Sequence, residues 1–131
     1  MCHQTIGLIA RHLEEAGIPT VVAGSARDIV EECGVARFVF TDFPLGNPTG
    51  KPGDVDMQRA IVGTALDLLE RAWLPRTTVQ TPFVWDADDN DGWRDHFMRV
   101  DDSNRAALAA AGEARRRDQA AAKADGRART T

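Results

Sequence analysis

Arg37-Phe38-Val39-Phe40-Thr41-Asp42-Phe43-Pro44-Leu45-Gly46-Asn47-Pro48-Thr49-Gly50-Lys51-Pro52-Gly53 is the stretch on which the fold turns. Residues 37–41 are aromatic and β-branched, which is the composition of a strand. The twelve residues from Asp42 to Gly53 hold three prolines, three glycines and an asparagine. Proline fixes φ and glycine permits positive φ, so such a run is a loop of defined shape. It leaves the carboxyl end of a strand, the edge where ligands of open α/β sheets sit. Asp54 can then cap a long helix whose face carries Met57, Ile61, Ala65, Leu68, Leu69 and Ala72 before Pro75 closes it.

Upstream the same grammar repeats. Ile6, Ile9, Ala10, Leu13 and Ala16 recur at helical spacing with Arg11, Glu14 and Glu15 on the other side; Gly17 and Pro19 stop the helix. Residues 20–23 read as a strand buried on both faces. Ser25 can cap a second helix with the apolar stripe Ala26, Ile29, Val30 and Cys33, ended by Gly34. Downstream, residues 77–81 form a short, polar, edge-like third strand. The acidic stretch 86–91 is a solvated turn, and a short helix follows with Trp93, Phe97 and Met98. Trp73, Trp85 and Trp93 are expected to pack in a core or interface.

Strands that each follow an amphipathic helix predict parallel α/β units with right-handed crossovers. The expected architecture is a small three-layer α/β sandwich. Its short, mostly parallel sheet has about three strands flanked by helices and occupies residues 1–100. Residues 101–131 carry alanine, arginine and aspartate with almost no large apolar side chain, so they are expected to form a fraying helix and a disordered, solvated basic tail.

With 131 residues the chain has room for one domain with a real core. A net charge of −4, with no basic stripe before the C-terminus, argues against nucleic acid as a partner. No apolar run nears the roughly 20 residues of a membrane span, and no signal-peptide pattern opens the chain, so the expectation is a cytoplasmic protein with no membrane partner. The two cysteines and three histidines show no ligand spacing, and no metal site is expected.

Cys2 is the first candidate for chemistry, because it precedes a helix expected to begin near Gln4. Thiols at helix N-termini lie near unpaired N–H groups and ionise more readily, and the thiolate is the competent nucleophile. His3 beside it could hold or relay a proton. The plain alternative is a frayed terminal cysteine. Cys33, on an apolar helix face, reads as a buried structural residue, and serves as a resolving thiol only if its Cα lies within about 7 Å of that of Cys2. The second candidate is the 42–53 loop, whose amides could form a nest for a carboxylate while Asp42 pairs with an amine. Its alternative is a stiff connection that only covers the sheet edge.

Cys2-His3-Gln4-Thr5, then Glu14-Glu15-Ala16-Gly17-Ile18-Pro19-Thr20-Val21, then Pro44-Leu45-Gly46-Asn47-Pro48 together resemble the glycine/sarcosine/betaine and D-proline reductase family, at the C-terminal region of its selenoprotein B subunits. The resemblance runs from about Cys2 to Trp85 and makes residues 1–100 a reductase-like domain. It implies reductive cleavage of a C–N bond in a small amino acid or amine. Cys2 would be the nucleophile or resolving thiol, with His3 beside it, and Asp42, Pro44, Leu45, Gly46, Asn47 and Pro48 would shape the substrate site. It further implies no intrinsic cofactor, an external thioredoxin-like dithiol as reductant, and a pyruvoyl group only on a partner subunit. A homo-oligomer or a reductase partner subunit is the expected association. Cys2 stands alone where the family's motif holds more than one chalcogen, so the expectation is a reduced relative, or a fragment whose start lies beyond an upstream selenocysteine codon. The competing readings are a non-catalytic subunit and a small-molecule-binding α/β module.

Overall fold

The computed structural model describes residues 2–86, 92–97 and 99–126. The chain divides into two compact units, Met1–Phe97 and Met98–Thr131.

Among the described residues the first unit holds three strands, β1 (Val22–Gly24), β2 (Arg37–Phe40) and β3 (Thr77–Gln80), all parallel and in the order β1-β2-β3. Val22 pairs with Phe38, and Val39 pairs with both Ala23 and Val79. Helices α1 (Cys2–Glu15) and α2 (Arg27–Glu32) lie on one face, where Ala10, Val22, Val30, Val35, Phe38 and Phe40 form a buried cluster. Helix α3 (Val55–Arg71) covers the other face, where Ile61 and Leu68 bury Val39 with help from Val21, Met57, Ala65 and Val79. The unit is therefore a three-layer α/β sandwich. The alternation along β2 explains the layers, since Phe38 and Phe40 point to one face and Val39 to the other.

Several local details follow from the sequence. Gly17 and Gly34 adopt positive φ and stop α1 and α2. Asp54 accepts a 3.0 Å hydrogen bond from the Met57 N–H and so caps α3. β3 is a half-exposed edge strand.

Four expectations are corrected. Both crossovers step the same way along the sheet, yet α2 and α3 cover opposite faces, so their hands are opposite and only one can be right-handed. The long 42–53 loop makes this possible by carrying the chain to the face that α1 and α2 leave open. Ser25 does not cap α2. Ala26 holds that position without a side-chain bond, and the Ser25 Oγ is buried with no hydrogen-bond partner among the described residues. On α1 the buried positions are Gly7 and Ala10, while Ile6 and Ile9 are 49% and 50% exposed. The reason is position: α1 overhangs the open edge of β1, so half of its apolar stripe looks past the sheet. Finally, α1 begins at Cys2 rather than near Gln4.

Helix α4 (Trp93–His96) ends this unit, with Trp93 edge-on to Phe97 at 5.5 Å and beneath the Arg94 guanidinium at 4.7 Å. The expected acidic turn falls largely on residues 87–91, and Met98 follows; these lie outside the described residues. In the second unit, α5 (Arg105–Ala124) has no buried residue. Asp101 and Asn104 organise its entry, with the Ser103 N–H and hydroxyl both donating to the Asp101 carboxylate. The expected disordered tail ends in residues 127–131, also outside the described set.

Candidate functional site

The candidate residues come from the amino ends of helices and the carboxyl ends of strands, which parallel α/β topology brings to one edge. Helix α1 precedes β1 and returns to it through Gly17 and Thr20, so its first turn stands at the carboxyl end of β1. His3 shows this directly: a Cβ built on Gly24, the last residue of β1, would lie 3.6 Å from His3 Cδ2. Cys2 is exposed in the same first turn.

Next along this edge, the Thr41 N–H donates to the Gly24 carbonyl at 3.0 Å and the Thr81 N–H donates to the Phe40 carbonyl at 2.9 Å. The Thr81 hydroxyl donates to that of Thr41 at 3.3 Å. Both threonines are buried, so these bonds extend the sheet by one residue and fix where the 42–53 loop departs.

The loop itself is built, not slack. Phe43 is fully buried and meets Trp85 edge-on at 5.1 Å. Lys51 Nζ stands 5.5 Å over the same indole. The Asn47 N–H and the Gly50 N–H donate within the loop, to Pro44 and Asn47 carbonyls, and the Asn47 side chain also reaches the Pro44 carbonyl at 3.4 Å. The Gln58 side chain donates to the Lys51 carbonyl at 2.7 Å, tying the loop's end to α3. Pro44 is buried, Asn47 and Pro48 are half-buried, and Leu45 and Gly46 face solvent. Asp42 accepts a hydrogen bond from Arg94 at 2.5 Å, so its carboxylate already has a cation beside it.

The structure therefore places His3 against the end of β1, with Cys2 on the same edge, and gathers Asp42 and residues 44–48 into one closed loop at the end of β2. Cys33 lies against α1, where its Sγ is 3.8 Å from the Gln4 carbonyl and a Cβ on Gly7 would stand 2.9 Å from that sulfur. Sequence reasoning missed Arg94, gave Lys51 no role, and read Trp85 only as a packing residue, which its contact with Phe43 bears out. Lys51 lies inside the loop and was legible there. Arg94 is 52 residues from Asp42, and nothing local signals that contact. Among the described residues no group of histidine, cysteine or acidic side chains could hold a metal ion, and no helix is long and apolar enough to cross a membrane.

The chain is similar to the D-proline reductase subunit gamma of Acetoanaerobium sticklandii, with 34% identity over 68 residues. The match covers 52% of this chain and 28% of that subunit, so the shared region spans little more than a quarter of the relative's length. No family model matches the chain, and no solved structure matches it. The similarity relates about half of this chain to part of a reductase subunit.

Proposed function

We propose that the chain is a subunit or domain of a thiol-dependent reductase that cleaves a C–N bond in a small amino acid or amine. Two findings support the reading: the similarity to a D-proline reductase subunit, and the placement of an exposed thiol and an imidazole on the sheet edge from which the 42–53 loop departs. The placement carries it, because a nucleophile must be reachable by both substrate and reductant, and Cys2 is exposed whereas Cys33 is half-buried.

The Cys2 thiolate attacks the α-carbon; the C–N bond breaks, its electron pair stays on nitrogen, and nitrogen takes a proton for which His3 is the nearby donor. A thiolate of an external dithiol then attacks the Cys2 sulfur. The C–S bond breaks toward carbon, which is protonated, and the mixed disulfide is resolved by the second thiol of the dithiol. Two electrons pass from dithiol to substrate. A pyruvoyl carbonyl, which activates the amine in the resembled family, belongs in this reading to a partner subunit. Lys51 supplies positive charge at the loop suited to a substrate carboxylate, while the charge of Arg94 is balanced by Asp42.

The test is reconstitution with a candidate pyruvoyl subunit and a dithiol, comparing wild type with Cys2→Ser. Loss of turnover with unchanged melting temperature supports the reading; full turnover without the Cys2 sulfur ends it.

A further inference from the structure

We propose that α3 is a dimerisation helix, pairing antiparallel with α3 of a second copy of this chain about a two-fold axis beside Gly63. Independently of the chemistry proposed above, the observation is a second apolar stripe on α3 that the fold does not use. Its sheet-facing residues are Met57, Ile61, Ala65, Leu68 and Ala72. About a third of a turn away, Val55, Arg59, Val62, Leu66 and Leu69 recur at spacings of four, three, four and three. That is the alternation of a helix–helix seam. Val55, Val62 and Leu66 are 50%, 46% and 57% exposed, and with Gln58, Arg59 and Gly63 they line one shallow groove.

The stripe is complementary to itself. With the two helices antiparallel and centred between Val62 and Leu66, Val62 meets Leu66 of the second copy and Arg59 meets its Leu69. The core positions of antiparallel coiled coils alternate in this way. In the same register Arg59 stands next to Glu70 of the second copy, twice by symmetry, so the charges are complementary. A charged residue at a seam position also fixes register, since any slip would strand it.

Gly63 supplies a separate observation. A glycine inside an exposed helix costs about 1 kcal/mol against alanine, yet among the described residues a Cβ there would meet nothing within 4 Å beyond the backbone of its own helix. Among the described residues the glycine has no packing reason within one copy. On the flank of the seam, beside Val62 in the same groove, it lets the two backbones approach closely.

Sedimentation of the full chain from about 1 to about 100 µM tests this. The expected result is a dimer, with Leu66→Asp or Val62→Asp raising the dissociation constant at least about a hundredfold while circular dichroism and melting of the monomer stay native. Arg59→Glu and Glu70→Arg should each weaken pairing roughly tenfold, and the double exchange should restore it. A monomeric wild type, a dimer indifferent to Leu66→Asp, or an exchange that fails to restore pairing each overturns the proposal.

Discussion

Gly7 in α1 lies so close to Cys33, the residue that ends α2, that a Cβ at position 7 would stand 2.6 Å from the Cys33 Cβ and 2.9 Å from its Sγ. The contact fixes how near the two helices approach, and with it how Ala10 and Val30 close over Phe38 and Phe40. Because the nearer clash is with a Cβ held by backbone, Gly7→Ala should force the helices apart and cost about 1–3 kcal/mol. Thermal denaturation reads this as a drop of several degrees. Cys33→Ala in the same chain should recover little of the loss, since it removes the sulfur and leaves the closer carbon.

Glu14 ties the end of α1 to the sheet. Its carboxylate accepts from the Thr20 N–H at 2.5 Å, the Thr20 hydroxyl at 2.9 Å and Arg37 at 2.8 Å. Partial burial is the largest single influence and works against ionisation, but the Thr20 bonds and the Arg37 charge together outweigh it and lower the carboxyl below the ordinary 4.5. A carboxyl lowered on folding stabilises the native state above its unfolded value, and that contribution is lost as pH falls through the folded value. Wild type should therefore exceed Glu14→Gln in melting temperature at neutral pH, and the gap should close as pH falls below about 4.5. A gap that persists at lower pH would show that the charge is not responsible.

Helix α3 starts at a residue whose side chain can be replaced without touching the core. Asp54→Ala removes the bond to the Met57 N–H, and should cost about 1 kcal/mol, with Asp54→Asn restoring most of it. Chemical denaturation with an unchanged slope is the check, because the change should shift stability and not compactness.

How much of this was legible follows from how local each signal is. Gly17, Gly34 and Asp54 act on their own helix ends and are readable from neighbours alone. The three strands were readable from β-branched runs, within a residue or two at their ends. Burial on α1 was not, because Ile6 and Ile9 keep helical spacing whether or not the sheet extends beneath them. Ser25 sits one residue too early to cap α2, a difference that dihedral angles decide and composition does not. The opposite hands of the two crossovers depend on which face is free when the chain leaves β2. The Asp42–Arg94 pair joins residues whose intervening sequence includes a helix and a strand, so only the folded chain brings it about. At the candidate site the positions of Cys2, His3, the 44–48 loop and Lys51 within it could be guessed as one edge; the approach of Arg94 to Asp42 could not.

Phe43 anchors that loop. It follows Asp42 directly, is fully buried, and stacks edge-on with Trp85, over which Lys51 is poised. Phe43→Ala would leave a cavity and cost about 3–5 kcal/mol, enough to threaten the fold of so small a unit. Phe43→Leu keeps most of the volume while losing the aromatic edge, and is the informative variant. If the loop shapes the site, Phe43→Leu should leave iodoacetamide labelling of the exposed Cys2 at the wild-type rate and still lower reductase turnover, with the indole emission of Trp85 altered in a background lacking Trp73 and Trp93. Turnover that tracks only the melting temperature would instead make Phe43 a packing residue, and the loop a cover for the sheet edge.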